Sequence, residues 1–174
     1  MHYADIKKID IANGEGVRVS LFVSGCRHHC KGCFNEIAWN FKYGKEFTQD
    51  TVDEIIQDLD HDYVEGLSLL GGEPLEPENQ EALAELVTKV KDKYPNKNIW
   101  CYTGFDFEKD IMPECKTSVV TKQLISNIDV IVDGKFDESK MDRKLKFRGS
   151  SNQRIIDVKE TLHDNAIKMV KFTD

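Results

Sequence analysis

Four short apolar runs rich in β-branched residues recur along the chain, at residues 17–23, 67–70, 99–102 and 128–132. Short runs of this kind are typical of strands that are buried on both faces of a parallel sheet. The pattern therefore predicts strands at these four places.

Two segments between these runs carry apolar residues at the i, i+3, i+4, i+7 spacing of a helix that buries one face. The apolar positions are Val52, Ile55, Ile56 and Leu59 in the first segment and Leu83, Leu86, Val87 and Val90 in the second. Thr51 and Glu54 predict a capping box at the first helix, while Pro77 and Pro95 mark the start and the stop of the second. Strand and helix thus alternate, which predicts an α/β fold with right-handed crossovers.

The C-terminal stretch has a different pattern. Residues 153–158 and 166–172 look like two strands around the turn-forming residues 163–165, and they predict an added β-hairpin. The chain contains no repeat, low-complexity tract or flexible linker, so residues 1–174 are expected to form a single domain.

Composition and charge narrow the classes of function. The formal net charge of −7 argues against the broad basic surface of a nucleic-acid binder. No apolar run approaches the length of a membrane span, and the first residues lack the blocks of a signal peptide, so we expect a cytoplasmic protein. Residues 135–154 are comparatively basic, which fits either a solvated loop or a docking surface for an acidic partner.

Three of the five cysteines are clustered directly after the first predicted strand. Cys26, Cys30 and Cys33 follow it at C-x3-C-x2-C spacing, whereas Cys101 and Cys115 stand far away and are expected to be ordinary core residues. Disulfides are not expected, because the cytosol keeps thiols reduced. Three thiolates on one loop can hold a four-iron cubane and leave one iron open for a substrate.

A zinc knob is the alternative interpretation of the same loop. His28, His29 or Cys101 would then supply the fourth ligand. Structural zinc usually shows a second cysteine pair or a later histidine pair, and neither is present in the sequence. The residues by themselves favour an iron–sulfur cluster and leave zinc open.

A glycine-rich turn follows the second predicted strand. Gly71 and Gly72 would allow a ligand to lie against bare backbone, and Glu73 offers an acceptor for an ammonium group, although a plain strand-to-helix connection has the same residues. Asp133 and Lys135 follow the last of the four runs. Lys135 could pair with a ligand carboxylate that Asp133 helps to orient, and the alternative is a surface turn. Residues 103–104 are weaker candidates for a wall of the same site.

The cysteine spacing resembles the signature of the radical S-adenosylmethionine superfamily. Residues 10–18 and 21–26, together with Asn35 and Trp39, resemble the activating proteins of anaerobic ribonucleoside-triphosphate reductases. The usual superfamily pattern has an aromatic residue directly before the last cysteine, whereas here Gly32 precedes that cysteine and Phe34 follows it. The reductase-activating proteins share this variant. The resemblance extends from residue 10 to residue 153 and includes residues 148–153, whose chemistry cannot be read from residue types.

This resemblance implies an incomplete (β/α) barrel of the radical S-adenosylmethionine type with a 4Fe-4S cluster on Cys26, Cys30 and Cys33. The residues that it implies for binding S-adenosylmethionine beside that cluster are Gly32, Cys33, Phe34, Gly71, Gly72, Glu73, Asp133 and Lys135. The turn at residues 71–74 is similar to the superfamily element that contacts the methionyl amino group.

The implied activity is reductive cleavage of S-adenosylmethionine to a 5′-deoxyadenosyl radical. That radical would remove a hydrogen atom from a glycine of the large reductase subunit, and a flavodoxin-like protein is the expected electron donor. Neither a nucleic acid nor a membrane is an expected partner. Two alternatives stay open, namely an activator of a different glycyl radical enzyme and a non-enzymatic zinc-binding adaptor.

Overall fold

The computed structural model describes residues 1–172, and the strands within them form one mixed, seven-stranded sheet. In chain order the strands are β1 (His2–Asp10), β2 (Val17–Val23), β3 (Lys45–Glu46), β4 (Val64–Gly71), β5 (Asn98–Tyr102), β6 (Val130–Asp133) and β7 (Arg154–Asp157). Their order across the sheet is β3-β1-β2-β4-β5-β6-β7, so the described sheet ends in two free edges and is open. The single-domain assignment of residues 1–174 stays a prediction.

The four central strands β2, β4, β5 and β6 run parallel, and β1, β3 and β7 pair antiparallel at the edges. The predicted α/β fold and all four predicted strands are thereby confirmed. Val23 is in register with Gly71, and Tyr102 is in register with Val132. The carboxyl ends of the parallel strands therefore meet at one edge of the sheet, which is where open α/β sheets bind ligands.

Two longer helices confirm the predicted helical segments, and shorter ones connect the remaining strands. The helices are α1 (Gln49–Asp58), α2 (Pro77–Lys93), α3 (Met112–Thr117), α4 (Val119–Ser126) and α5 (Val158–Asp164). Pro77 is the first residue of α2, as predicted. The predicted cap of α1 is wrong by one turn: Thr48 begins the helix, and its N–H donates to Thr51 Oγ1 at 3.1 Å. No helix within the described part of the chain is long and apolar enough to cross a bilayer.

The two faces of the sheet are buried differently. Helix residues such as Leu83 and Val87 pack with Leu21 and Leu69 in the main core on one face. On the other face, a smaller cluster around Trp100 includes Val130, Val132 and Ile155, with Phe147, Val170 and Phe172 packed over it. The sheet whose edge carries the cysteine loop is therefore covered by packed side chains on both faces.

Arg18 is fully buried beside this smaller cluster. Its Nε donates to Ser68 Oγ at 2.6 Å, its Nη2 donates to the carbonyl of Leu67 at 2.9 Å, and its guanidinium lies over the ring of Trp100. Burial lowers the pKa of Arg18 to about 10. Arg18 itself lies near the start of β2, and its contacts reach the middle of β4 and of β5, so they link these three strands.

The predicted C-terminal hairpin is wrong in its second half. β7 pairs with β6 as an edge strand, but residues 158–164 form α5, which overlaps the turn predicted at residues 163–165. Met169 makes only an isolated bridge to Ile156. The helix forms because Asp157 caps it by accepting the Glu160 N–H at 2.9 Å, and because Val158 and Thr161 are buried.

Candidate metal centre

The cysteine-bearing loop leaves the carboxyl end of β2 and is held by backbone hydrogen bonds. Gly25 N–H donates to the carbonyl of Ala38 at 2.7 Å, and Cys26 N–H donates to that of Trp39 at 3.2 Å. Gly25 has a φ of +100°, and a Cβ there would overlap the ring of Phe41. A glycine is thus required where the chain turns from the strand into the loop.

All three clustered cysteines line one cleft at the carboxyl edge of the sheet. The other cleft residues include Phe34, Asn35, Trp39, Leu70, Gly71, Gly72, Glu73, Tyr102, Thr103, Gly104, Gly134, Phe136, Gly149 and Gln153. Most of the residues selected from the sequence are thus brought together. Gly32, Asp133 and Lys135 do not line this cleft.

Burial disfavours the charged form of two of the cleft thiols. It raises the pKa of Cys26 to about 11, and it also raises the pKa of Cys30, against the opposing effects of the Phe136 N–H and the Lys135 charge. A thiolate at these positions therefore needs compensating positive charge, which bound iron would supply. Cys33 Sγ already accepts the Asn35 N–H at 3.4 Å.

The spacing of donor atoms separates a cluster from a single metal ion. Around one tetrahedral zinc, thiolate sulfurs lie roughly 3.8 Å apart, because each Zn–S bond is about 2.3 Å. Among the described residues, no three donor atoms of the cysteines and histidines of this loop lie within 4.8 Å of one another. A cubane binds each cysteine at a different iron, so three thiols that do not converge on one point are compatible with an iron–sulfur cluster.

Two of the residues between Cys26 and Cys30 attach the loop to neighbouring elements. The Arg27 N–H donates to the buried Glu76 carboxylate at 2.7 Å, and the Arg27 guanidinium bonds both Glu76 and Glu78 at the start of α2. The His29 ring stacks on that of Trp39 at 4.2 Å. These contacts therefore preorganise the loop. The sequence indicated no role for Arg27, Glu76 or Glu78, and it pointed to His29 only as a possible zinc ligand.

The two glycines of the turn after β4 have a packing role. A Cβ on Gly72 would lie 2.6 Å from the carbonyl oxygen of Gly25, and a Cβ on Gly71 would lie 2.7 Å from the backbone of Val23. Gly72 N–H donates to Val23 O at 2.7 Å, and Glu73 N–H donates to Gly25 O at 2.8 Å. Bare backbone is thus needed to join the end of β4 to the cysteine loop.

Asp133 and Lys135 lie near the cleft but face other groups. The Asp133 carboxylate is buried, accepts the Phe107 N–H at 2.9 Å and is paired with Arg154. Lys135 is exposed and lines a separate depression with Glu138. Their contribution to cofactor binding stays a prediction.

One wall of the cleft comes from residues 148–153, whose chemistry was unreadable in the sequence. Gln153 Oε1 accepts the Gly149 N–H at 2.9 Å, and its Nε2 donates to the carbonyl of Gly134 at 3.1 Å. The segment therefore closes onto the end of β6.

The two remaining cysteines lie away from this cleft. Cys101 lies in the main core, where burial raises its pKa, and Cys115 lies on α3 beside a different groove.

Comparison with known proteins supports an iron–sulfur cluster in this chain. A family model described as a 4Fe-4S single cluster domain matches residues 12–156 and defines the class of protein. The chain is 42% identical over 155 residues to the anaerobic ribonucleoside-triphosphate reductase-activating protein of Enterobacteria phage T4, which covers 89% of this chain and 93% of the phage protein. The proteins of the same name from Vibrio cholerae and Escherichia coli K12 are 43% and 39% identical, over 89% and 88% of this chain and 97% and 96% of their own lengths. The chain belongs to the family of anaerobic ribonucleoside-triphosphate reductase-activating proteins.

Proposed function

We propose that this protein activates an anaerobic ribonucleoside-triphosphate reductase by using a 4Fe-4S cluster and S-adenosylmethionine. The observation that carries the proposal is the open cleft lined by Cys26, Cys30 and Cys33 in a chain of this family. The open sheet, with its parallel strands and ligand cleft at their carboxyl ends, supports an incomplete barrel of the radical S-adenosylmethionine type.

The three cysteines are proposed to hold the cluster and to leave one iron open to the cleft. A cluster held by Cys26, Cys30 and Cys33 would, when reduced, supply one electron for cleavage of S-adenosylmethionine to methionine and a 5′-deoxyadenosyl radical, and that radical would take a hydrogen atom from a glycine of the partner. The role of the protein is to position the cluster and S-adenosylmethionine and to exclude water from the cleft. Gly71 and Gly72 allow the end of β4 to approach the backbone of Val23 and Gly25. Phe34 and Phe136, with ring centroids 5.1 Å apart, line the same cleft as the cysteines.

The proposed substrate is a backbone glycine in the large subunit of the reductase, and the proposed location is the cytoplasm. The proposed electron donor is a flavodoxin-like protein. The relatives' names favour this reductase over other glycyl radical enzymes, since each is an activating protein of the anaerobic ribonucleoside-triphosphate reductase.

Anaerobic mixing with a reductase large subunit tests this function. The reconstituted protein, S-adenosylmethionine and dithionite should produce a glycyl radical signal in electron paramagnetic resonance of the large subunit. The Cys30→Ala protein serves as the control and should produce none. A wild-type protein that cleaves S-adenosylmethionine but yields no glycyl radical signal with the reductase would contradict the proposal. A signal only with a formate-lyase type enzyme would favour the alternative activator.

A prediction about docking concerns the basic segment, residues 140–148, which carries five basic residues and one acidic residue. It adjoins the cleft because Met141 pairs with Ser150, next to the cleft residue Gly149. Joint reversal of the exposed Arg143 and Lys144 to glutamate should slow glycyl radical formation about threefold to tenfold at low salt, since rim charges act mainly on association.

Cleavage of S-adenosylmethionine in the absence of the reductase should stay unchanged in that variant. High salt should remove the difference between the variant and the wild type in the rate of glycyl radical formation. Lys116→Glu with Lys122→Glu is the matched control, because these exposed lysines lie on the helix side at α3 and α4. Equal slowing by both double variants would mean that net charge, rather than the basic segment, controls association.

A further inference from the structure

The carboxylate of Glu73 is almost completely enclosed by protein hydrogen-bond donors. The residue is 1% exposed. Its Oε1 accepts the Leu75 N–H at 2.8 Å, and its Oε2 accepts the Gly104 N–H at 2.8 Å. The ring Nε2 of His28 lies 2.7 Å from the same Oε2. We assign this contact with His28 Nε2 as the donor and the carboxylate oxygen as the acceptor.

These contacts join three separate segments. His28 lies midway between Cys26 and Cys30, Glu73 lies in the turn after β4, and Gly104 follows β5. The His28 ring packs edge-on against Phe105, with ring centroids 4.5 Å apart. A Cβ on Gly104 would lie 2.6 Å from that ring, so the glycine admits the histidine.

We propose that Glu73 is a positioning residue: through His28 and the Gly104 amide, it fixes the segment between Cys26 and Cys30 against the ends of β4 and β5. Three of the roughly four acceptor positions of the carboxylate are occupied. The sequence suggested the Glu73 carboxylate as an acceptor for a ligand's ammonium group. In the structure this carboxylate instead holds the cysteine loop. The inference rests on the proposed function in one respect only: it assumes that the cluster and S-adenosylmethionine bind in this cleft.

Substitutions at the two histidines of the loop separate this role from general disruption. His28→Asn is too short to reach Glu73, whereas His28→Gln places an amide donor near the original Nε2. His29→Asn is the matched control, because His29 has a φ of +49°, which asparagine tolerates, and its ring only stacks on Trp39. Glu73→Gln exchanges one acceptor oxygen for a donor and therefore loses at least one of the three contacts.

Three measurements are made on each variant. In the metal-free protein, hydrogen exchange of the Gly104 amide reports the contact itself. In the reconstituted protein, the rate of iron loss to a chelator reports the hold on the cluster. Equilibrium dialysis gives the S-adenosylmethionine affinity per intact cluster, and thermal unfolding identifies any variant that fails to fold.

We expect faster Gly104 exchange and about tenfold faster iron loss in His28→Asn and Glu73→Gln, a factor that matches the loss of a hydrogen bond to a charged group. The effects of His28→Asn and Glu73→Gln should be less than additive in the protein that carries both substitutions, because the two residues are in direct contact. His28→Gln should stay near wild type. His29→Asn loses a stacking contact of the loop but no hydrogen bond to Glu73, so its iron loss should be clearly slower than that of His28→Asn. The S-adenosylmethionine affinity of Glu73→Gln should change less than about threefold.

Wild-type iron retention in Glu73→Gln together with a tenfold loss of S-adenosylmethionine affinity would overturn the proposal and make Glu73 a cofactor contact. Equal effects of His28→Asn and His29→Asn would also overturn it. None of these readings uses the reductase. A wild-type protein that generates no glycyl radical would therefore count against the proposed function and not against this role of Glu73.

Discussion

Alanine at Cys26, Cys30 or Cys33 is expected to abolish stable iron binding, whereas Cys101→Ala and Cys115→Ala proteins should reconstitute with wild-type iron and sulfide content. The three proposed ligands share one cleft, and removing one would leave a cubane with two protein thiolates. Cys101 is buried in the main core and Cys115 lies on α3, so neither reaches the cleft. Iron analysis and visible absorbance after anaerobic reconstitution measure the effect.

The stability of each alanine variant serves as the control for this experiment. Cys101→Ala removes a small buried side chain and should lower the free energy of unfolding by about 1 kcal/mol without changing iron content. Loss of the cluster in Cys101→Ala or Cys115→Ala would contradict the three-cysteine ligand set. One bound zinc per chain, in place of iron and sulfide, would favour the adaptor alternative.

Gly71→Ala should lower the free energy of unfolding by about 3–5 kcal/mol and reduce cluster incorporation. Gly71 has a φ of +108°, which disfavours any side chain, and its Cβ would lie 2.7 Å from the backbone nitrogen and oxygen of Val23. Relief of that contact would separate the ends of β2 and β4. Because the cysteine loop leaves from the end of β2, the stability defect and the iron defect should appear together.

Gly134→Ala is the matched control. Gly134 has a similar φ of +98°, but the nearest atom to a Cβ there is 3.8 Å away. Only backbone strain is added, so the expected loss is about 1–2 kcal/mol with normal iron content. Urea unfolding measures both variants, and equal losses would show that strain alone, without the Val23 contact, accounts for the effect.

Segments with strong local patterns were predicted correctly. β2, β4, β5 and β6 are short apolar runs, and α1 and α2 carry a clear apolar stripe. β1 was missed because its residues are mostly exposed or half-buried, so it lacks a continuous apolar run. α5 was mistaken for a turn, although Asp157 followed three residues later by Glu160 was a readable start signal for a helix.

The residues of the candidate site also fall into two groups: those whose position local sequence patterns predict, and those whose contacts depend on how separate segments pack. The cysteines and the glycines of the turn after β4 lie next to strand ends, so their approach follows from the order of parallel strands. Asp133 also follows this rule, but its carboxylate pairs with Arg154 on the neighbouring antiparallel strand. That pairing depends on an edge strand whose partner cannot be read from local spacing.

The sequence by itself determined the donor chemistry of the site, because three thiols at C-x3-C-x2-C spacing lie on one short loop whatever the rest of the chain does. It also determined the α/β class, because apolar runs and helical stripes alternate. Only the tertiary structure decided which side chains hold that loop. The contacts of Glu73 with His28 and Gly104 span 45 and 31 positions of the chain, and they exist only once β2, β4 and β5 are aligned in parallel register. Local spacing encodes what lies on one segment, whereas these contacts depend on how separate segments pack.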